Sequence, residues 1–275
     1  MKEKVQNVRS ILEYFSDHKT YRKQIFKLAK ADIIKTYRGS ALGWAWALVK
    51  PVVTIFVFWF AFSMGLRKGH PIDGYPFFLW MIAGFIPWFY MSEMITGGAG
   101  CIRNHKYLVT KLKFPMTVIP TFTSLSKLFI NILLQVVMIV VFMLFGHMPD
   151  MYYLQIPVYI MMMFIWFTFW GLLAGTLSAI SKDFLNLVKS LSTAIFWMSG
   201  IIYDVRKIDI PWVRSILSYN PVTIVANGYR HTFIDKTWFF QDMYSIKCYV
   251  IVTLVTAILA FWAYNRLYKD IPDLI

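Results

Sequence analysis

The sequence predicts an all-α integral membrane protein with six transmembrane helices, an amphipathic interfacial helix before them and re-entrant helices between spans five and six. Of the 275 residues, 58% are hydrophobic, 19% are aromatic and only 15% are charged, a balance typical of multi-span membrane proteins. Apolar runs of roughly 18 residues or more, long enough to cross a bilayer, recur along the chain. The net charge of +14 lies mainly beside these runs. Cations there orient a membrane protein and meet anionic lipid, so we expect no nucleic-acid partner.

Residues 1–41 form a cationic N-terminal region with ten Lys or Arg and four acids. Between Lys19 and Lys35 a helical period gathers cations on one face. The opposite face holds Tyr21, Ile25, Leu28 and Ala29. This pattern predicts a helix on the cytoplasmic membrane surface, with its apolar face in the lipid boundary. A plain membrane anchor and a second contact for a cytosolic partner both remain open. Because about forty mostly polar residues come first, we expect no cleavable signal peptide.

Residues 42–275 form the predicted transmembrane domain. We place its six spans at residues 42–66, 76–96, 116–145, 155–179, 184–203 and 249–267. Lys and Arg concentrate in the N-terminal region, in the loop after span two, after span four and in the C-terminal tail. The positive-inside rule therefore predicts that both termini lie in the cytoplasm.

Spans two and three carry polar side chains that lipid does not tolerate. Glu93 lies near the end of span two, and Ser124, Lys127, Asn131 and Gln135 form one helical stripe along span three. Such a stripe faces protein or water, so it either holds helices together or lines a path. We favour the first interpretation, because Lys127 is placed to reach Glu93.

Small residues mark the second half of span four. Gly171, Ala174, Gly175 and Ser178 recur at helical spacing. Small side chains let two membrane helices approach closely, so this pattern predicts helix packing and not a binding site.

The loop of residues 97–115 is the most cationic segment between two spans. It contains Arg103, Lys106, Lys111 and Lys113 and no carboxylate, so it is expected in the cytoplasm. Its glycines, at 97, 98 and 100, predict a turn that ends span two. The loop is either a topology signal alone or a contact for a soluble partner.

Residues 204–247 are too apolar for a solvated loop, yet Pro211 and the Asn220-Pro221 pair divide them into pieces too short to span. Two short helices that dip into the outer half of the membrane and return fit this pattern, provided that protein or water surrounds their backbone. A pair of helices flat on the outer surface is the alternative.

The chain shows no short signature of catalysis. It has no phosphate-binding G-x-x-x-x-G-K-[ST] motif and no G-x-S-x-G motif, its five histidines are scattered, and its two cysteines are far apart. We therefore expect no catalytic residue, no metal site and no cofactor bound by this chain.

Four stretches in order resemble the membrane subunits of ABC exporters for cell-surface polysaccharides, most closely teichoic acid translocation permeases. They are KTYRGSALGWAWALVKP (Lys35–Pro51), IDGYPFFLWMIAGFIPWF (Ile72–Phe89), LVTKLKFPMTVIP (Leu108–Pro120) and LSYNPVTIVANGYR (Leu217–Arg230). The resemblance covers nearly the whole chain. One departure is at Ser199-Gly200, where many relatives have a proline, which leaves the local bend undefined.

The resemblance implies a type-2 ABC exporter fold in a bacterial plasma membrane. It implies a homodimer of this chain and two copies of a separate ATP-binding subunit, which uses ATP and Mg. The substrate it implies is a teichoic acid or polysaccharide on an undecaprenyl diphosphate lipid. The residues that would couple to the ATPase are Ile102, Arg103, His105, Lys106, Tyr107, Lys111 and Lys113. The outer gate would contain Trp212, Asn220 and Pro221.

A lipid-linked anionic polymer needs cations for its diphosphate and aromatic faces for its sugars. The expected entrance contains Lys35, Arg38, Trp44 and Trp46. The possible path contains Trp59, Trp88, Phe89, Tyr90, Glu93, Lys127, Asn131 and Gln135. Two other functions stay open: a type-2 ABC exporter of small hydrophobic compounds, and an integral membrane transferase acting on lipid-linked sugars.

Overall fold

The computed structural model describes residues 12–66, 71–72, 74–112 and 114–275. Within them the backbone is helical apart from turns and one isolated β-bridge, between Ile72 and Tyr75. Residues 12–20 are helical and are called α1. The α-helices that follow are α2 (Arg22–Tyr37), α3 (Trp46–Phe60), α4 (Phe77–Asn104), α5 (Lys106–Thr110), α6 (Ile119–Leu144), α7 (Ile156–Ile180), α8 (Lys182–Met198), α9 (Pro211–Ser218), α10 (Pro221–Arg230), α11 (Met243–Leu267) and α12 (Ile271–Leu274).

The protein is a multi-pass membrane protein. Among the described residues, five helical segments are long and apolar enough to cross a membrane: Gly43–Met64, Phe77–Thr110, Met116–Leu144, Met151–Ile180 and Met243–Leu267. They confirm the positions of predicted spans one, three, four and six and the start of span two, whose helix continues past the predicted end at residue 96. Predicted span five is shorter than expected, because α8 has only 17 residues and begins with Lys182 and Asp183. The chain leaves it through Gly200, whose positive φ of 65° makes the bend.

Helix α4 is the centre of the bundle. Its apolar window is 78% buried inside the protein, against 11% for the window of the first span. It contacts α3, α6, α7, α8 and α10. The predicted turn at the glycine cluster is wrong, because α4 continues through all three glycines to Asn104.

Gly98 of this cluster serves packing instead of a turn. A Cβ on Gly98 would lie 3.5 Å from the Cα of Gly171, and a Cβ on Gly175 would lie 3.0 Å from Cys101 Sγ. The two helices thus approach almost backbone to backbone. The close packing predicted from the small residues of span four is confirmed, and tertiary contact overrides the low helix propensity of glycine.

The polar stripe of α6 holds α6 against α4, as the sequence predicts. Ser124 Oγ lies 2.6 Å from Tyr90 Oη, and the Asn131 amide donates to the Ile86 carbonyl at 2.6 Å. Gln135 then donates to Asn131 Oδ1 at 2.7 Å. In a low-dielectric interior such bonds are difficult to replace, so they fix the register of the two helices.

Part of the apolar face of α2 packs against other helices of the bundle. Ile25 and Ala29 are buried in a cluster with Ile102, Ile119 and Phe122. The predicted amphipathic face is therefore present, and part of it packs against the bundle, while Phe26 and Ile34 on the same helix remain exposed. The sequence period reveals an apolar face without showing what covers it. We call the end of the bundle that carries α2, α5 and α12 the basic end.

The two short helices predicted after span five lie at the opposite end of the bundle, and they differ in burial. Helix α10 is almost wholly buried, whereas α9 is mostly exposed. Arg230, fully buried at the end of α10, donates to the carbonyls of Gly200 and Ile201 at 2.7 and 2.6 Å. Its guanidinium also stacks 3.6 Å from the centre of the Trp80 ring. These contacts fasten α10 to α4 and to the end of α8.

Candidate functional site

A cavity of about 490 Å³ lies between the end of α2 and helices α3, α4 and α6. Its volume is in the range of ordinary small-ligand pockets. It begins at Thr36, Tyr37 and Ser40, near the basic end, and extends to Leu134 in the middle of α6. Of the predicted entrance and path residues, it brings together Trp46, Trp88, Phe89, Tyr90, Glu93, Lys127 and Asn131.

Three charged side chains line this cavity. Lys127 Nζ lies 3.5 Å from Glu93 Oε2, which confirms the expected pairing. Both side chains keep partial exposure, 21% for Lys127 and 46% for Glu93, so the pair faces an open space. Lys50 of α3 adds a second cation to the wall. The cavity therefore carries a net positive charge within a membrane-spanning bundle, a setting that favours anions.

The aromatic residues divide into those that reach the cavity and those that support its wall. Trp46 is exposed, whereas Trp88 is buried with its ring 5.3 Å from that of Phe196. The Tyr90 hydroxyl is hydrogen-bonded to Ser124, so this side chain supports the wall. Trp59 and Gln135 do not line the cavity.

The remaining entrance residues lie outside the cavity wall. Lys35, Arg38 and Trp44 are exposed. The Trp44 ring stacks on Tyr37, with centroids 5.2 Å apart, and Tyr37 does line the cavity. The predicted entrance thus continues the cavity at the surface through one aromatic stack.

The predicted coupling residues occupy different environments. Ile102 is fully buried, and Arg103 donates to the carbonyls of Ser178 and Ala179, so it caps the end of α7. Lys106, Tyr107 and Lys111 are exposed, Tyr107 at 63%. Lys113 lies outside the described residues. Helix α5 and Lys111, directly after it, thus present two cations and an aromatic ring outward, while Ile102 and Arg103 hold the segment in place.

Asp32, absent from the predicted site, joins α2, α6 and the coupling segment. Ser126 Oγ donates to its carboxylate at 2.6 Å, and His105 Nε2 lies 3.5 Å away. His105 Nδ1 faces the Cys101 carbonyl at 2.9 Å. Both ring nitrogens face acceptors, so the ring bridges the end of α4 and α2. The sequence signal was one acid among the cations of an amphipathic helix.

The environment of Asp32 favours its ionised form. Burial by itself raises the pKa of the carboxyl, but hydrogen bonds from His105 and Ser126 and the charge of Lys127 outweigh burial and lower the pKa below its usual value. A lowered pKa in the folded state means that the carboxylate stabilises the fold above the ordinary Asp pKa, and that this stabilisation is lost as the pH falls through the folded-state value.

We expect Asp32→Asn to lower the free energy of unfolding by about 1.5–3 kcal/mol at pH 7, because hydrogen bonds to a charged group are lost. Thermal unfolding in detergent should show that the gap to wild type closes as the pH falls below about 4, where the wild-type carboxyl also becomes protonated. Asp209→Asn, at an exposed carboxylate before α9, serves as the control and should change little. A stability difference between wild type and Asp32→Asn that does not depend on pH would contradict the stabilising role of the Asp32 carboxylate.

The predicted gate residues have structural contacts. The Asn220 side chain caps α10 by accepting from the Val222 N–H at 3.0 Å, and it donates to Ser199 Oγ at 2.7 Å. Pro221 is buried at the first position of α10. Trp212 is 67% exposed on α9. Asn220 and Pro221 therefore fix the turn between the two short helices, and Trp212 projects from it.

Comparisons with known proteins agree with this architecture. The family model described as ABC-2 type transporter matches residues 23–234, most of the chain. The O-antigen export system permease protein RfbA of Myxococcus xanthus is 30% identical over 219 residues, which cover 78% of this chain and 82% of the relative. A protein of the same name from Klebsiella pneumoniae is 25% identical over 215 residues, 76% of this chain and 80% of the relative. The chain therefore belongs to the ABC-2 type transporter family.

Proposed function

We propose that this chain is the membrane subunit of an ATP-driven exporter that moves a lipid-linked cell-surface polysaccharide outward across the bacterial plasma membrane. The specific substrate we propose is wall teichoic acid on undecaprenyl diphosphate. ATP with Mg would be hydrolysed by a separate subunit, present in two copies beside a homodimer of this chain. The basic end, with both termini, would face the cytoplasm.

The observation that carries this proposal is the cavity at the basic end. Lys50 and Lys127 offer cations to a diphosphate, and Trp46 and Phe89 offer aromatic faces to sugar rings. The curated relatives are named as O-antigen export permeases, and O-antigen is a polysaccharide. An exporter of small hydrophobic compounds would not need the charges that line this cavity.

The homodimer draws support from the first span. Helix α3 leaves a row of large apolar side chains exposed: Val52, Val53, Phe56, Val57 and Phe60. The rest of the chain covers little of this first span, residues 42–66. Lipid or a second copy must therefore cover it. A second copy there would place two such cavities beside one another.

The test is ATP hydrolysis by the chain purified with any ATPase subunit that it retains and reconstituted in liposomes. Three substrates should be compared: lipid-linked wall teichoic acid, lipid-linked O-antigen and no polymer. We expect hydrolysis that requires both subunits and rises with teichoic acid. If hydrolysis rises with O-antigen alone, O-antigen replaces wall teichoic acid as the proposed substrate. Sugar transfer without ATP would support the transferase and overturn the exporter.

A further inference from the structure

A second cavity, of about 480 Å³, lies at the end of the bundle away from α5, between α9, α10 and the start of α11. No predicted site residue lines it. Most of the residues in its wall are polar, among them Arg206, Arg214, Ser215, Thr223, Asn227, Asp242 and Tyr244. A polar pocket of this size in a membrane protein requires an explanation.

Thr223 gives the first indication of a ligand. The residue is 2% exposed, and its hydroxyl is buried without a hydrogen-bond partner among the described residues. Leaving a buried hydroxyl unpaired costs free energy. Because Thr223 lines the cavity, a ligand with a hydrogen-bonding group would remove that cost.

Arg214 gives the second indication. The neighbouring Arg206 is held by Asp204 at 2.9 Å and Asp235 at 2.6 Å, so its charge is used within the fold. The Arg214 guanidinium makes no hydrogen bond or ion pair with any described residue. A guanidinium at a pocket wall is suited to a phosphate, which it can bind through two parallel hydrogen bonds.

The other groups select hydroxyls. One Asp242 carboxylate oxygen caps α11 by accepting from the Ser245 N–H at 3.1 Å, and the other oxygen is available to accept a ligand hydroxyl. Asn227 contributes an amide, and Ser215 contributes a further hydroxyl. Arg206 also lines the cavity but is paired with two carboxylates, which leaves Arg214 as the cation offered to a ligand. Such a cation beside several hydroxyl-binding groups matches a ligand that has one phosphate between hydroxyl-bearing carbons.

We propose that this cavity binds a polyol phosphate diester. Two sources share this chemistry: the headgroup of phosphatidylglycerol in the adjoining leaflet, and a repeat unit of an outgoing phosphate-containing polymer. The second source rests on the proposed export function, whereas the pocket and its chemistry do not.

The test is binding of glycerophosphoglycerol to the full chain, with any subunit that copurifies, in phosphatidylcholine nanodiscs without ATP. Arg214→Gln is expected to lower the affinity at least about tenfold, and Thr223→Val about fivefold. Thr223→Val should not destabilise the fold, since the lost hydroxyl has no partner. Thr176→Val is the matched control, because its buried hydroxyl is also unpaired but lies in α7, away from this cavity.

Wild-type binding that both cavity variants weaken, and the control does not, supports the site. Absent binding, or equal binding by all four proteins, overturns it. Nanodiscs with phosphatidylglycerol then identify the source: loss of probe binding assigns the lipid headgroup, and retained binding assigns the polymer unit. Because these measurements need no transport, failure of the export function would leave their outcome unchanged, and the reverse also holds.

Discussion

Replacing both Lys106 and Lys111 with glutamate is expected to abolish polymer transport. The affinity for the proposed ATPase subunit should fall at least about tenfold, while thermal stability stays near wild type. Both lysines are exposed beside Tyr107. The inner side of α5 is closed by the buried Val109. Reversing charge at an exposed interface disrupts complementarity without opening the core. Copurification of the ATPase and polymer-stimulated hydrolysis measure the two losses.

The matched control is Arg266→Glu with Lys269→Glu, two exposed cations at and just beyond the end of α11, on the same predicted side of the membrane. This pair changes the charge equally but lies outside α5. Arg103→Gln makes the opposite contrast, because it removes the cap of α7 and should lower stability before it affects coupling. Normal transport by the Lys106→Glu, Lys111→Glu variant would mean that the loop of residues 97–115 acts as a topology signal alone.

Gly228→Ala is expected to destabilise the protein by about 3 kcal/mol, at the upper end of the usual cost of overpacking. A Cβ at this position in α10 would lie only 2.1 Å from Cε1 of Tyr159. The Tyr159 ring belongs to α7 and is itself buried. It therefore cannot move aside without displacing its neighbours. Thermal unfolding in detergent provides the measurement.

A double-mutant cycle tests the cause. Adding Tyr159→Ala should recover part of the loss, since the new methyl group then has space, and the two changes should be non-additive. Gly97→Ala is the control within α4. Nothing lies within 4 Å of its added Cβ, so stability should stay level or rise by about 1 kcal/mol through helix propensity. Equal losses at both glycines would contradict the packing explanation.

The apolar periods predicted most of the fold because lipid imposes length and composition on a spanning helix. Five spans therefore lie where the hydropathy placed them. The end of span two was missed for the opposite reason. Gly97, Gly98 and Gly100 carry a strong local signal for a turn, but the close contact of Gly98 with Gly171 stabilises helix there.

The cavity was partly predictable. Glu93 and Lys127 are costly in lipid, so the sequence marked them as paired or wetted, and they are paired. Asp32 could not be assigned a partner, because Ser126 is 94 positions away along the chain. Likewise, nothing local to Arg103 indicates that its guanidinium caps another helix.

The length of α4 links the two cavities mechanically. Its 28 residues form one rod of about 42 Å. One end of the rod holds Arg103 in its last turn and is followed by His105, and towards the other end Gly84 lies against the guanidinium of Arg230. We expect a displacement at α5 to reach the short helices as a tilt of α4, or as a bend at Pro87. The stiffness of α4 would then determine how much of a movement at the basic end reaches the opposite end of the bundle.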